Sequence, residues 1–165
     1  MASAQFGDEL VQLLPQLRRF ARGLTRDRAD ADDLCQATIE RALKSADQWQ
    51  VGTRLDAWIY RIMRNMWIDE ARARTRRGQT FAPEDDGANV GDAGDARIEA
   101  AVEMNNVGRA MAQLPDEQRE AVMLVLVEGF AYKEAADIIG CPMGTLTSRL
   151  GRGRDALLRA LGEAP

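Results

Sequence analysis

"AYKEAADIIG" (131–140), followed by "CPMGTLTSRLGRGRDALLRAL" (141–161), decides the fold. The first block reads as a short helix ended by Gly140, and the second as a longer basic helix. A short helix, a glycine-containing turn and a longer basic helix match the helix-turn-helix pattern. In that motif the N-terminal part of the second helix enters the DNA major groove. This places Thr145, Thr147, Ser148, Arg149 and Arg152 where base edges and phosphates would lie. Residues 141–154 gather Arg149, Arg152 and Arg154 with no acid, in a chain of formal net charge −4. Gly151 and Gly153 sit inside this helix, where a glycine costs ~1 kcal/mol relative to alanine. Close approach to a ligand would explain them, and so would helix–helix packing. A plain three-helix bundle is the bland alternative.

Upstream, "MAQLPDEQREAVMLVLVEGF" (111–130) reads as one helix, with Asp116 near its start, Leu124 and Val127 in its core and Gly129 closing it. The N-terminal half is helical throughout. In "ELVQLLPQLRRFARGL" (9–24), Leu10, Leu13, Leu14, Leu17, Phe20, Ala21 and Leu24 recur at helical spacing. Pro15 is expected to start or kink a helix there. "DADDLCQATIERALKSA" (30–46) opens on Asp30 as N-cap, with Leu34, Thr38, Ile39, Ala42 and Leu43 facing inward. Thr53 and Asp56 in "TRLD" resemble a capping box at the head of a third helix. Leu55, Trp58, Ile59, Ile62, Met66 and Ala73 form its apolar stripe, and six arginines (61, 64, 72, 74, 76 and 77) lie off it. With Trp49, Trp58, Tyr60 and Trp67 in or near that helix, the arginines read either as a solvated face or as a surface for nucleic acid. Arginine beside an aromatic face is the combination that holds single strands.

Charge is uneven. Residues 1–77 carry 14 Lys+Arg against 11 Asp+Glu, residues 78–107 carry 1 against 7, and residues 108–165 carry 7 against 8. The acidity therefore sits mainly in the middle. "GQTFAPEDDGANVGDAGDA" (78–96) lacks apolar periodicity and reads as a linker between two helical halves, because structureless loops of that length are uncommon inside compact domains. The expected class is all-α: two small helical domains, 1–77 and 101–165, joined by a flexible acidic linker over 78–100.

Several functions are disfavoured. Histidine is absent, which removes histidine acid–base chemistry, Ser–His and Cys–His nucleophiles, and mixed Cys/His zinc sites. Neither GxxxxGK nor GxGxxG occurs. Cys35 and Cys141 are far apart and read as small packing residues in a reducing compartment. No stretch approaches a ~20-residue apolar span and no signal sequence is apparent, so the expected compartment is the cytoplasm without membrane insertion. No catalytic residue, metal site or cofactor is assigned.

In order, "DADDLCQATIERAL", "AWIYRIMRNMWIDEARAR" and "LPDEQREAVMLVLVEGFAYKEAADIIGCPMGTLTSRLGRGRDAL" resemble an extracytoplasmic-function sigma factor, the short two-domain member of the sigma-70 family. The resemblance spans about residues 8–77 and 104–161. It implies that Asp30, Asp32, Asp33 and Gln36 contact core RNA polymerase. It implies that Arg61, Arg64 and Asn65 help to open promoter DNA, and that Trp49 lies in the loop (47–53) that captures a flipped minus-ten base. It implies that the last helix reads the minus-thirty-five element, that the linker threads toward the polymerase active-site channel, and that an anti-sigma factor controls the protein. Where this chain has Gly151 and Gly153, the family's recognition helix usually carries a residue with a side chain and an alanine. A sigma-like decoy that sequesters an anti-sigma factor is the alternative, but it has no need of Arg61, Arg64, Arg149 or Arg152.

Overall fold

The computed structural model describes residues 2–25, 27–78 and 105–162, and every regular element among them is helical. Helices α1 (Ala2–Thr25), α2 (Arg28–Lys44) and α3 (Leu55–Arg76) form the N-terminal half, with one 3-10 turn at Ala46–Gln48. The C-terminal half comprises α4 (105–113), α5 (Asp116–Val122), α6 (Tyr132–Ile139) and α7 (Met143–Ala160). Apart from Gly78, the stretch expected as a linker lies outside the described residues.

Local chemistry sets the helix ends, sometimes at other residues than expected. The N-cap of α2 is Asp27, whose carboxylate accepts from the Ala29 N–H at 3.1 Å, while Asp30 lies within the first turn. Both acids oppose the positive end of the helix dipole. The capping box at Thr53 does not form: the Thr53 hydroxyl donates to the Gln50 carbonyl at 2.6 Å, and Asp56 is engaged by Arg54 and by the Ala57 N–H. Helix α1 runs unbroken through Pro15, which is exposed, so water can meet the carbonyl that its missing N–H leaves free.

The single helix expected over 111–130 divides at Pro115, which caps α5. Beyond α5 the chain widens into a π-turn, Met123–Val127, in which the Glu128 N–H reaches the Met123 carbonyl at 2.8 Å. The wider turn changes the phase of the apolar pattern. Leu124 is buried as expected, but Val127 is exposed. Gly129 and Gly140 end their segments at φ +77° and +80°, a left-handed conformation that costs glycine no Cβ clash.

In the N-terminal core, Phe6, Leu10, Leu17, Phe20 and Leu24 meet Ala31, Cys35 and Ala42 of α2 and Leu55, Ile59 and Met63 of α3. Burying each large side chain stabilises by roughly 1.5–3 kcal/mol. Leu43, expected on the inner face of α2, is exposed instead. Cys35 is buried, which pushes its thiol pKa up, and both cysteines are free. Helix α3 is buried over a wider arc than its stripe suggested, because Tyr60 and Met63 are also covered. Tyr60 meets Phe20 edge-on at 4.7 Å and, across the boundary between the halves, Phe130 at 5.3 Å. One continuous core therefore joins the two halves.

Candidate nucleic-acid interface

Three groups of residues were expected to act, and the structure separates them. The first lies on α2, where Asp32, Asp33 and Gln36 are exposed along one side. Asp30 is half-buried and accepts from Arg74 of α3 at 3.1 Å, so it braces α2 against α3.

The second group lies on and just before α3. Asn65 is exposed, but the arginines around it are engaged by the other half of the chain. Arg64 Nε donates to Glu120 Oε1 at 2.6 Å, and the Glu120 side chain is only 2% exposed. Burial raises the Glu120 pKa, while the adjacent guanidinium favours the charged form. Arg61 donates to the Asp137 carbonyl at 2.9 Å. Trp49 packs on Phe6 with ring centroids 5.8 Å apart, and its buried indole N–H has no hydrogen-bond partner. Trp58 meets the same Phe6 edge-on at 6.1 Å. The tryptophans that suggested a stacking surface therefore also serve as packing, as aromatic residues at helical spacing often do.

The third group lies on α7. Leu146, Leu150 and Gly153 face the core, whereas Thr147, Ser148, Arg152 and Arg154 are exposed. Thr145 is half-buried, and the Thr147 hydroxyl donates back to the Met143 carbonyl at 2.9 Å. Arg149 is turned aside: it lies 3.6 Å from Glu117 of α5 with 24% of its side chain exposed. The two glycines differ in kind. A Cβ on Gly151 would meet nothing, but one on Gly153 would lie 2.8 Å from Val122 Cγ2 and 3.2 Å from the Gln118 carbonyl. Gly153 thus serves the packing of α7 on α5, and Gly151 leaves the exposed face low.

Sequence reasoning missed the residues that join the halves. Arg119 is 1% exposed. Its guanidinium donates to the carbonyls of Gly23, Leu24 (3.0 Å) and Leu114 (2.9 Å) and to Asp116 (2.7 Å). Two of those carbonyls end α1, where the helix dipole favours a cation. Glu128 accepts two bonds from Arg19, at 2.9 and 2.7 Å, and one from the Tyr60 hydroxyl at 3.1 Å. That bond raises the Arg19 pKa, whereas burial, more than the neighbouring carboxylate, raises that of Tyr60. Arg54 pairs with Asp56 and Glu134 and lies over the Phe130 ring at 4.8 Å. The partners that cross between the halves are about 55–110 residues apart, so no local pattern marks those pairs.

Among the described residues no cluster of His, Cys, Asp and Glu could hold a metal, and no helix is long and apolar enough to cross a membrane.

Comparison with known proteins agrees with this arrangement. The family models for Sigma-70 region 2 and Sigma-70, region 4 match residues 10–77 and 104–157. The ECF RNA polymerase sigma factor EcfG of Rhodopseudomonas palustris is 37% identical over 91% of this chain and 81% of its own length. SigM of Mycobacterium tuberculosis is 35% identical over 89% of this chain and 72% of its own. The sigma factor RpoE of Bartonella quintana, solved with the anti-sigma factor NepR, superposes with a TM-score of 0.81 at 32% identity, covering 96% of this chain and 97% of that one. Two sigma regions in sequence order, on a bundle that ends in an exposed helix-turn-helix, leave one assignment: the chain belongs to the extracytoplasmic-function sigma factors, which are transcription regulators rather than enzymes.

Proposed function

We propose that this alternative sigma factor works in the cytoplasm, delivers core RNA polymerase to a two-part promoter and is restrained by an anti-sigma factor. The observation that carries the reading is the exposed, acid-poor face of α7 behind the αL turn at Gly140, formed by Thr147, Ser148, Gly151 and Arg152. Exposed hydroxyls and a guanidinium on one helix suit phosphate and base-edge contacts in a major groove. Arg152 follows the backbone, and Arg149 joins it on leaving Glu117. The acids of α2, Asp32 and Asp33 with Gln36, offer a negative surface to a basic partner on polymerase, and Asp30 holds that helix in place through Arg74. Arg61, Arg64 and Asn65 act on the melting DNA, with Trp49 in the loop that precedes their helix. Flipping a base costs a few kcal/mol, which a pocket offsets through stacking and edge contacts. Control by an anti-sigma factor is supported by the Bartonella relative, whose structure was solved with NepR.

The experiment is transcription from a random promoter library by core polymerase with this chain, followed by sequencing of the active templates. Enrichment of two blocks at a fixed spacing is expected. No enrichment, together with tight binding to an anti-sigma factor, would establish a decoy instead. In the same assay Asp32→Lys with Asp33→Lys should abolish polymerase binding while leaving the helical circular-dichroism signal intact, since attraction becomes repulsion. Undiminished affinity would remove the acidic face from the interface.

A further inference from the structure

The leading face of α7 is less polar than its residue types suggest. Met143, the first residue of the helix, is 47% exposed although its side chain is large and apolar. Thr147 stands one turn further on, and residues four apart share a helix face. It too is exposed, but its hydroxyl donates to the Met143 carbonyl at 2.9 Å. A threonine hydroxyl has one hydrogen to give. With that hydrogen spent on the backbone of its own helix, Thr147 offers a partner only its methyl group and an acceptor oxygen. Gly144 and Gly151, three residues before Thr147 and four after it, would each place a Cβ in open space. Met143 and Thr147 therefore rise from a strip that is bare backbone at 144 and 151.

A singly exposed apolar residue is ordinary. This one shares its face with a threonine whose donor is used up, at the end of the helix that the motif directs to base edges. In the major groove guanine offers only acceptors and adenine an acceptor with an amino donor, whereas thymine adds a 5-methyl group to its acceptor. Thr147 has no donor left for guanine, and Met143 carries none. A threonine methyl suits a thymine methyl, and the unbranched, flexible thioether of Met143 adapts to the same apolar contact. We infer that Met143 and Thr147 are specificity-determining residues that read thymine through its methyl group, so the upstream promoter block holds at least one thymine that this face requires. This deepens the reading that α7 enters the major groove, and rests on it. Polar contacts fall to Arg152 and to Ser148, whose hydroxyl makes no hydrogen bond among the described residues.

The test uses the full chain bound to core polymerase and the templates enriched from the random library. Each thymine of the upstream block is replaced in turn by uracil, which keeps the hydrogen-bonding edge and loses only the 5-methyl group. At one position or more the exchange should weaken wild-type binding about 4-fold, the equivalent of one methyl group left unburied. Met143→Ala or Thr147→Ser should remove the penalty at that position, so that thymine and uracil templates bind alike. Met143→Leu should retain it. Both residues are exposed, so none of these changes puts folding at stake. An upstream block without thymine on either strand, a wild type indifferent to uracil throughout, or a penalty unchanged in both Met143→Ala and Thr147→Ser would overturn the inference. Arg152→Ala separates it from the reading beneath it. If that change alters neither affinity nor salt slope, α7 does not hold DNA and both fall. If it weakens every template while uracil is tolerated at all positions, α7 holds DNA and only the methyl reading falls.

Discussion

Helices α3 and α7 are both rich in arginine, yet they present it in opposite ways. On α7, Arg152 and Arg154 are both exposed, and the helix carries no acid in its first three turns. On α3, Arg61 and Arg64 are engaged by the neighbouring half, and Arg74 is tied to Asp30 and Glu70. A count of arginines therefore measures capacity for anions, while the tertiary partner decides whether that capacity is free. The carboxylates that face the N-terminal half at Arg64 and Arg19 are also deeper. Glu120 and Glu128 are each 2% exposed on the side chain, whereas Glu117 beside Arg149 is 70% exposed and screened by solvent.

The largest effect should come from the buried arginine that ties α5 to the end of α1. Replacing Arg119 by Met keeps most of the apolar stem but leaves the Gly23, Leu24 and Leu114 carbonyls without this donor. Breaking such a buried network costs roughly 3–5 kcal/mol. Urea denaturation should show that loss, and a change below about 1 kcal/mol would mean that water replaces the guanidinium at little cost.

Next come the two glycines of α7, which should respond with opposite sign. Gly153→Ala forces a Cβ into Val122 and the Gln118 carbonyl and should destabilise by about 1–3 kcal/mol. Gly151→Ala meets open space and should stabilise by about 0.5–1 kcal/mol through helix propensity. If DNA approaches this face closely, the second change will also lower affinity for a minus-thirty-five duplex. Thermal melts and binding titrations on the pair separate packing from recognition, and equal signs in the melts would refute the distinction.

Recognition itself gives a graded series of similar or smaller size. Arg152→Ala should weaken binding to every duplex and reduce the salt slope by about 1. Arg149→Ala should cost ~1–3 kcal/mol and relax preference at one base pair if the side chain leaves Glu117 for a base edge. Arg154→Ala should matter least, because residues two apart on a helix point to different sides. Equal, negligible losses for all three would reduce the α7 arginines to a solvated face and erase the contrast with α3.

The smallest effect concerns pH. The Glu120 pKa is raised above its ordinary 4.5 by burial. The folded chain therefore binds its proton at a pH where the unfolded chain has lost it, so stability falls as pH rises through that window. Glu120→Gln should remove this slope, and the wild-type advantage over the variant should shrink as pH rises from 4.5 upward. A difference between the two that does not change with pH would mean that Arg64 holds the carboxylate charged throughout.

Local chemistry was legible wherever cause and effect lie within a few residues. The core positions of α1 from Leu10 to Leu24, the helix end at Gly140, and the helix-turn-helix from Tyr132 to Ala160 all follow from apolar spacing and glycine conformation. The same kind of reading slipped where one local partner could substitute for another. Asp27 took the cap expected of Asp30, and Pro115 with the π-turn rephased the helix expected over 111–130.

Only the tertiary structure decided which arginines are engaged, why Tyr60 is buried, and which glycine serves packing. Arg64 and Glu120 are 56 residues apart, and Arg119 is 96 residues from Gly23. Helical periodicity carries no information at such separations, because it records which side of a helix is apolar and not what comes to rest against it. A guanidinium is compatible with water, with a phosphate or with a buried carboxylate, and its choice is made by the surface folded against it.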